Sequence, residues 1–147
     1  MKVSEPPVIV EQLFKTTREN VWNALTQLDE MRQWFFPNIE AFEAKPGFKT
    51  DFTVKSEERI FPHLWEVLEV IPHHKMVQEW KYGGYDGLCT ITFELYKDAE
   101  NTLLKVTATV LEDFPDDIPE FKRESCVVGW KYFINESLKD YIENELQ

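Results

Sequence analysis

Apolar and polar residues alternate along most of this chain, and the alternation gives way to helical spacing near the beginning and at the end. Val8 to Phe14 alternates as a strand, with Pro6 and Pro7 setting its start and Val8, Val10, Gln12 and Phe14 on one face. Thr16-Thr17-Arg18-Glu19 then fits a capping box, Thr16 at the N-cap and Glu19 three residues on. Val21, Ala24, Leu25 and Leu28 give the helix that follows a buried side, and Asp29 suits the cap of a second, shorter helix holding Met31 and Trp34 and ending at Pro37.

Short strands follow, separated by turns. Lys45-Pro46-Gly47 has the form of a type II-like turn before the alternating Phe48, Phe52 and Val54. Ser56-Glu57-Glu58 reverses the chain into a longer strand, Arg59 to Ile71, with a bulge expected near Pro62. Pro72-His73-His74-Lys75 turns again and puts Met76, Gln78, Trp80 and Tyr82 on one face. The glycine-rich segment 83–87 is a hairpin loop. After it, Cys89, Ile91, Phe93 and Leu95, then Leu104, Val106, Ala108 and Val110, alternate with polar partners as antiparallel strands with one wet face do. Hairpins in series with no helix between them exclude a parallel sheet.

Asp117 to Gln147 closes the chain as a loop rich in Asp and Pro and then a single long helix. Cys126, Trp130, Phe133 or Ile134, Leu138, Tyr141 and Ile142 form its apolar stripe, while Lys131, Asn135, Glu136, Lys139, Asp140, Glu143 and Asn144 belong to water. A sheet with one apolar face needs a cover, and this helix is the one available. The expected order is strand, two helices, six strands and a long helix: an α+β chain forming a single domain over residues 1–147.

A length of 147 residues, 43% of them hydrophobic and 29% charged, describes one globular domain with a sizeable core. Aromatic residues make up 14%, which suits either a bulky core or an aromatic-lined cavity. The net charge of −11 argues against binding nucleic acid, which needs basic clusters, and against anionic membrane surfaces. Cys89 and Cys126 lack metal-site spacing and read as reduced thiols. The opening MKVSEPPVIV has no apolar signal core and no run reaches membrane-spanning length, so a cytoplasmic protein is expected.

No nucleophile elbow, phosphate-cradling glycine loop or zinc-binding helix is present, so neither a catalytic set, a metal site nor a cofactor is expected. His73 and His74 sit in a turn as solvated residues; His63, on the long strand near Glu66, reads as structural, with a general base as its alternative. The acidic pairs Asp116-Asp117 and Glu57-Glu58 read as capping or solvating charge. Trp34, Phe35, Phe36 and Phe42 crowd the passage from the second helix into the second strand. Aromatic residues of this kind form cores, but beneath one covering helix they also suit a pocket. Its wall is predicted to comprise Trp34, Phe36, Phe52, Gln78, Trp80, Tyr82, Phe93, Trp130 and Phe133, with Gln12, Gln78 and Tyr82 as the few polar groups.

Val21-Trp22-Asn23-Ala24-Leu25 followed by Trp34, Glu66-Val67-Leu68-Glu69-Val70 with Pro72, Val77 to Trp80, and Gly129-Trp130 with Leu138 resemble, in order and spacing, the START-like, birch-pollen-allergen-like superfamily (SRPBCC). The branch they resemble is that of the activators of heat shock protein 90 ATPase, over residues 8–146. The resemblance implies a helix-grip fold, a seven-stranded antiparallel sheet curled around the long helix, with an apolar cavity between them. Two departures stand out: Trp65 where this branch often has glycine, and an acid- and proline-rich segment from Phe114 to Glu124 over the expected cavity mouth. Three functions are compatible: binding of a small apolar ligand, a co-chaperone-like protein-interaction module, and a cyclase or aromatase such as the polyketide cyclases of the superfamily. For the last, His63, Glu66, Glu69 and Tyr82 are the available acids and bases. Gly129 is expected to let a neighbour approach Trp130 closely.

Overall fold

The fold is taken from a computed structural model, which describes residues 1–145. The expected helix extends to Leu146 and Gln147, which lie outside the described residues. In chain order the elements are β1 (Val8–Phe14), α1 (Arg18–Thr26), α2 (Leu28–Trp34), β2 (Lys49–Ser56), β3 (Arg59–Ile71), β4 (Lys75–Tyr82), β5 (Leu88–Asp98) and β6 (Asn101–Glu112). A 3₁₀ turn, Pro119–Phe121, then leads into the C-terminal helix: α3 (Arg123–Lys131), π-helical turns over Tyr132–Leu138, and α4 (Lys139–Glu145). The strands form one antiparallel sheet in the order β1-β6-β5-β4-β3-β2. Strands β2 to β6 pair with their chain neighbours, and β1 closes on β6 after the two helices.

Six strands are present among the described residues, where seven were expected. The chain between α2 and β2 buries Ile39 and Phe42 but joins no ladder. Its backbone is held another way. The Arg32 guanidinium donates to the carbonyls of Ile39 (2.6 Å) and Glu40 (3.3 Å), and Asn38 Nδ2 donates to Thr53 O (2.6 Å). Side-chain donors thus occupy carbonyls that a neighbouring strand would otherwise need.

Three local expectations shift for similar reasons. The N-cap of α1 is Thr17, whose Oγ1 accepts from Asn20 N (3.2 Å), while Thr16 Oγ1 takes the Asn20 side chain (2.9 Å). Asn20 therefore answers both threonines, and Glu19 is left as first-turn charge. Asp29 lies inside the first turn of α2 rather than at its cap, because the helix is capped two residues earlier, at Gln27. The bulge of β3 lies between Val67 and Glu69 instead of near Pro62, which keeps its place opposite Thr53 and accepts from Gly83 N (2.9 Å).

The C-terminal helix buries Trp130, Ile134, Leu138 and Ile142, a ladder with steps of four residues. In a regular α-helix each such step drifts roughly 40° around the axis, and three steps would carry the ladder off the sheet. The wider π-helical turns over Tyr132–Leu138 reduce that drift in its middle. Asn135, expected in water, instead donates to Glu11 O (2.9 Å) and Gln12 Oε1 (3.0 Å), tying the helix to the edge strand β1. Ser137 Oγ donates to Trp34 O (2.6 Å), which ties the same turns to α2. No helix among the described residues is long and apolar enough to cross a membrane.

Ile134→Ala, at a fully buried rung of the ladder, should cost about 2–5 kcal/mol in urea unfolding. Val128→Ala, on the outer face at 67% exposure, should stay within about 0.5 kcal/mol. Equal losses at both positions would show the helix to be rotated from the orientation described.

Candidate functional site

The interior beneath the helix is divided. At one end the rings are in contact. Trp65 and Trp80 are cross-strand partners on β3 and β4 and stack at 4.6 Å with planes 13° apart. Phe35 joins them, stacked in turn on Trp34 (4.6 Å, 4°), and Phe52 meets Trp65 edge-on at 4.8 Å. Trp130 descends from the helix onto Trp80 (5.4 Å) and Phe93 (6.1 Å), where the stripe predicts it. Trp65 thus fills the space that a glycine would leave open.

Beyond Trp80 the packing stops. A cavity of about 220 Å³ lies between the helix and the sheet, largely apolar in its lining. Phe36, Trp80, Tyr82, Trp130 and Phe133 border it. Of the other side chains expected on its wall, Trp34, Phe52 and Phe93 pack around the aromatic stack, and Gln78 is sealed in the core, where its Oε1 accepts from Trp80 Nε1 (2.8 Å). Gln12 is occupied by Asn135, outside the cavity.

The rest of the wall is not among the side chains predicted to line it, although the sequence offers His63 as an acid or base and places the segment from Phe114 to Glu124 over the mouth. Val54 and Ser56 come from β2, Phe61 and His63 from β3, and Cys126 and Gly129 from α3. Phe121 reaches over the mouth from the 3₁₀ turn, 5.2 Å from Phe61 and 5.1 Å from Tyr82. Behind it, Phe114 packs on Phe121 (5.2 Å) and so close to Gly87 that a β-carbon there would lie 2.3 Å from its ring. Gly87 also has φ +121°, so both sterics and conformation require glycine. The unusual acidic segment is therefore the lid of the cavity. The signal available was its two phenylalanines, apolar residues in an otherwise charged loop.

Gly129 has a different role from the expected one. A β-carbon built on it meets nothing within 4 Å, so the glycine accommodates no close neighbour and leaves space beside the cavity.

The polar groups of the wall are few. His63 is buried, its ring stacked on Phe52 (4.9 Å, 24°), and its Nδ1 lies 2.9 Å from Phe61 O. A carbonyl can only accept, so Nδ1 carries the proton and Nε2 is a bare acceptor. Burial lowers the imidazole pKa to about 4, against a smaller opposing effect of the Phe61 hydrogen bond. Burial also pushes the Tyr82 phenol up, and the Cys126 thiol up to about 11. Both Cys89 and Cys126 are free thiols. Glu120 stands at the mouth, its Oε1 3.5 Å from the Arg59 guanidinium. Burial opposes its charge, but its own backbone N–H, Ser56 and Arg59 together hold its pKa below the usual value. Among the described residues no group of three or more His, Cys, Asp or Glu side chains is placed to hold a metal ion. A larger hollow of about 640 Å³ lies at the start of α1, its lining mixed in near-equal parts polar and apolar and including the charged Arg18 and Lys97.

With the sheet, its covering helix and the cavity between them in view, comparison with known proteins becomes informative. The model of the family described as "Activator of Hsp90 ATPase homolog 1-like protein" matches residues 15–143. The chain belongs to this family. It is thereby a member of the SRPBCC superfamily, on the branch its sequence resembles. Among solved structures it is similar to DynU16, a protein of the dynemicin biosynthetic locus, with TM-score 0.76 and 24% identity over 95% of this chain and 48% of that one. It thus spans about half the length of DynU16. It is also similar to MLL2253 from Mesorhizobium loti (TM-score 0.73, 23% identity, 95% and 98% coverage) and to the Aha1 dimer from Colwellia psychrerythraea (TM-score 0.72, 20% identity, 95% and 98% coverage). At these identities the likeness shows the fold. No curated protein matches the chain.

The buried neutral His63 makes a prediction about pH. Its pKa is lower in the folded protein (about 4) than in the unfolded chain (6.5), so below 6.5 the unfolded state binds more protons. Stability from this residue is complete above pH 6.5 and falls by about 3 kcal/mol as the pH drops to 4. Urea unfolding across that range should show a steeper decline for the native protein than for His63→Gln. Parallel curves would place the histidine in water.

Proposed function

We propose that this protein binds a small apolar molecule in the cavity between its C-terminal helix and strands β2–β4. The observation that carries this reading is that the aromatic packing ends at Trp80 and gives way to about 220 Å³ of apolar-walled space. The pocket is open to solvent and its wall is largely apolar, and an apolar-lined space of ~150 Å³ is already enough to take up benzene. The wall favours binding over catalysis. Its imidazole, thiol and phenol are all held far from neutrality by burial, whereas an acid or base serves best with a pKa near the working pH. A cyclase-like reaction in this cavity therefore lacks a poised proton donor or acceptor.

A second reading is a protein-interaction module, as the family's description suggests. It is favoured by Val128 and Tyr132, one helical turn apart and 67% and 51% exposed on the outer face of the C-terminal helix. A pull-down of the cognate heat shock protein 90-type chaperone at low salt, lost on Val128→Asp with Tyr132→Asp, supports that reading; no capture by the native protein removes it.

Gly129 supplies the test of the first reading, since a side chain added there has room and lies in a helix. Gly129→Leu should fill the cavity and raise stability by roughly 0.5–1 kcal/mol or more, through helix propensity and added burial. Titration with ethylbenzene, followed by amide and indole NMR shifts, should be saturable for the native protein and absent for Gly129→Leu. Native protein that shows no saturable shift would overturn the proposal, as would a variant that binds as well.

A further inference from the structure

Resting on that reading of the cavity, we propose that its ligand is a neutral single-ring phenol whose hydroxyl donates a hydrogen bond to His63 Nε2.

Size sets the first limit. Sites for drug-sized molecules occupy ~300–1,000 Å³, while this cavity holds about 220 Å³, room for one ring with a short substituent. Shape sets the second. Trp80, Trp130, Phe36 and Phe133 present ring faces and edges, which suit a flat aromatic guest through offset or edge-on contacts.

The polar wall makes the choice within that class. The one hydrogen bond of His63 among the described residues is the one its Nδ1 donates to Phe61 O, so Nε2 is an acceptor without a partner on a wall otherwise almost entirely apolar. Nε2 is reached from the pocket, so a ligand hydroxyl takes the place of water on it, whereas an apolar head group displaces that water and offers no donor in return. Tyr82, opposite His63 in the β3–β4 register with ring centroids 4.8 Å apart, brings a hydroxyl to the same wall that can donate to the ligand oxygen in turn. A ligand hydroxyl can both donate and accept; a ketone, ether or ester oxygen cannot satisfy Nε2. Charge completes the selection. Glu120 at the mouth is paired with Arg59, and beyond it the wall is almost wholly apolar, so a carboxylate ligand of the same size is disfavoured by the desolvation of its charge. A cation finds aromatic faces but no unpaired carboxylate among the described residues of the wall, so its charge is only partly compensated.

The test compares 4-ethylphenol, 4-ethylanisole, ethylbenzene and 4-ethylbenzoate, one ring scaffold with four head groups, by NMR titration and calorimetry. 4-Ethylphenol should bind roughly ten-fold more tightly than 4-ethylanisole or ethylbenzene, the scale of one net hydrogen bond to a buried partner. 4-Ethylbenzoate should bind weakest. His63→Phe should abolish the preference for the phenol while retaining ethylbenzene, which shows that the variant is folded and its cavity open. Ethylbenzene binding without a phenol preference overturns the phenol assignment and leaves the apolar cavity reading intact; so does a preference that survives His63→Phe. If none of the four compounds binds, both are overturned.

Discussion

The indole rings of Trp65 and Trp80 lie face to face across β3 and β4, and the rest of the interior is arranged around that pair. Their register partnership places two of the largest side chains opposite one another on the concave face of a sheet. Phe35 and Phe52 close on one side of the stack and Trp130 comes down on the other from the helix. Everything from α2 to this stack is packed. The cavity is what remains between the stack and the lid formed by Phe121. In this chain the sheet and its cover do not enclose one large chamber. A tryptophan at position 65 shortens the chamber from one end, and an aromatic loop closes it from the other.

That division explains which features were legible beforehand. Period-two patterns such as Cys89 to Leu95 located the strands because one face is wet, and the stripe from Trp130 to Ile142 oriented the helix because the other face is dry. The seventh strand that the resemblance implies shows the limit of the method. Ile39 and Phe42 are both buried ahead of β2, yet they join no ladder, and the carbonyls of Ile39 and Glu40 accept from the Arg32 side chain instead. Burial is written in residue type, whereas the partner of a carbonyl is decided by tertiary geometry. The same distinction separates the wall residues. Trp80 and Trp130 are large and apolar and could be assigned inward, but nothing in the pattern tells whether an inward ring meets another ring or an empty space. Phe52 and Phe93 point inward too and find neighbours. His63 and Phe61 were harder still, because the parity of β3 becomes clear only once its bulge is known to lie beyond them, at Val67 and Glu69.

The π-helical turns connect the fold to the cavity. Tyr132–Leu138 is the segment in which Ile134 and Leu138 face the sheet while Phe133, one residue before Ile134, still reaches the cavity. A ladder with steps of four keeps its bearing better on a wider helix, so the covering face stays against β1 as Trp130 and Phe133 border the cavity. Ser137 and Asn135, bonded to Trp34 O and to β1, hold those turns from both flanks. Such widened turns carry weaker intrinsic hydrogen bonding and occur often at functional sites. Here the gain is geometric: one helix serves as core on one side and as cavity wall on the other.

The burial of His63 is the least economical feature of the site. A phenylalanine at that position could stack on Phe52 and face Tyr82 without an imidazole to desolvate, and it would not expose the fold to loss of stability between pH 6.5 and 4. The hydrogen bond to Phe61 O satisfies only one of the two ring nitrogens. Packing alone therefore gives no reason for a histidine, since the ring's shape is served as well by an apolar one and its second nitrogen is left without a partner. An unprotonated acceptor at the border of an aromatic pocket is a group that a ligand's donor can use once it displaces water from the wall. What reads as a cost in the empty protein becomes selectivity once the cavity is filled.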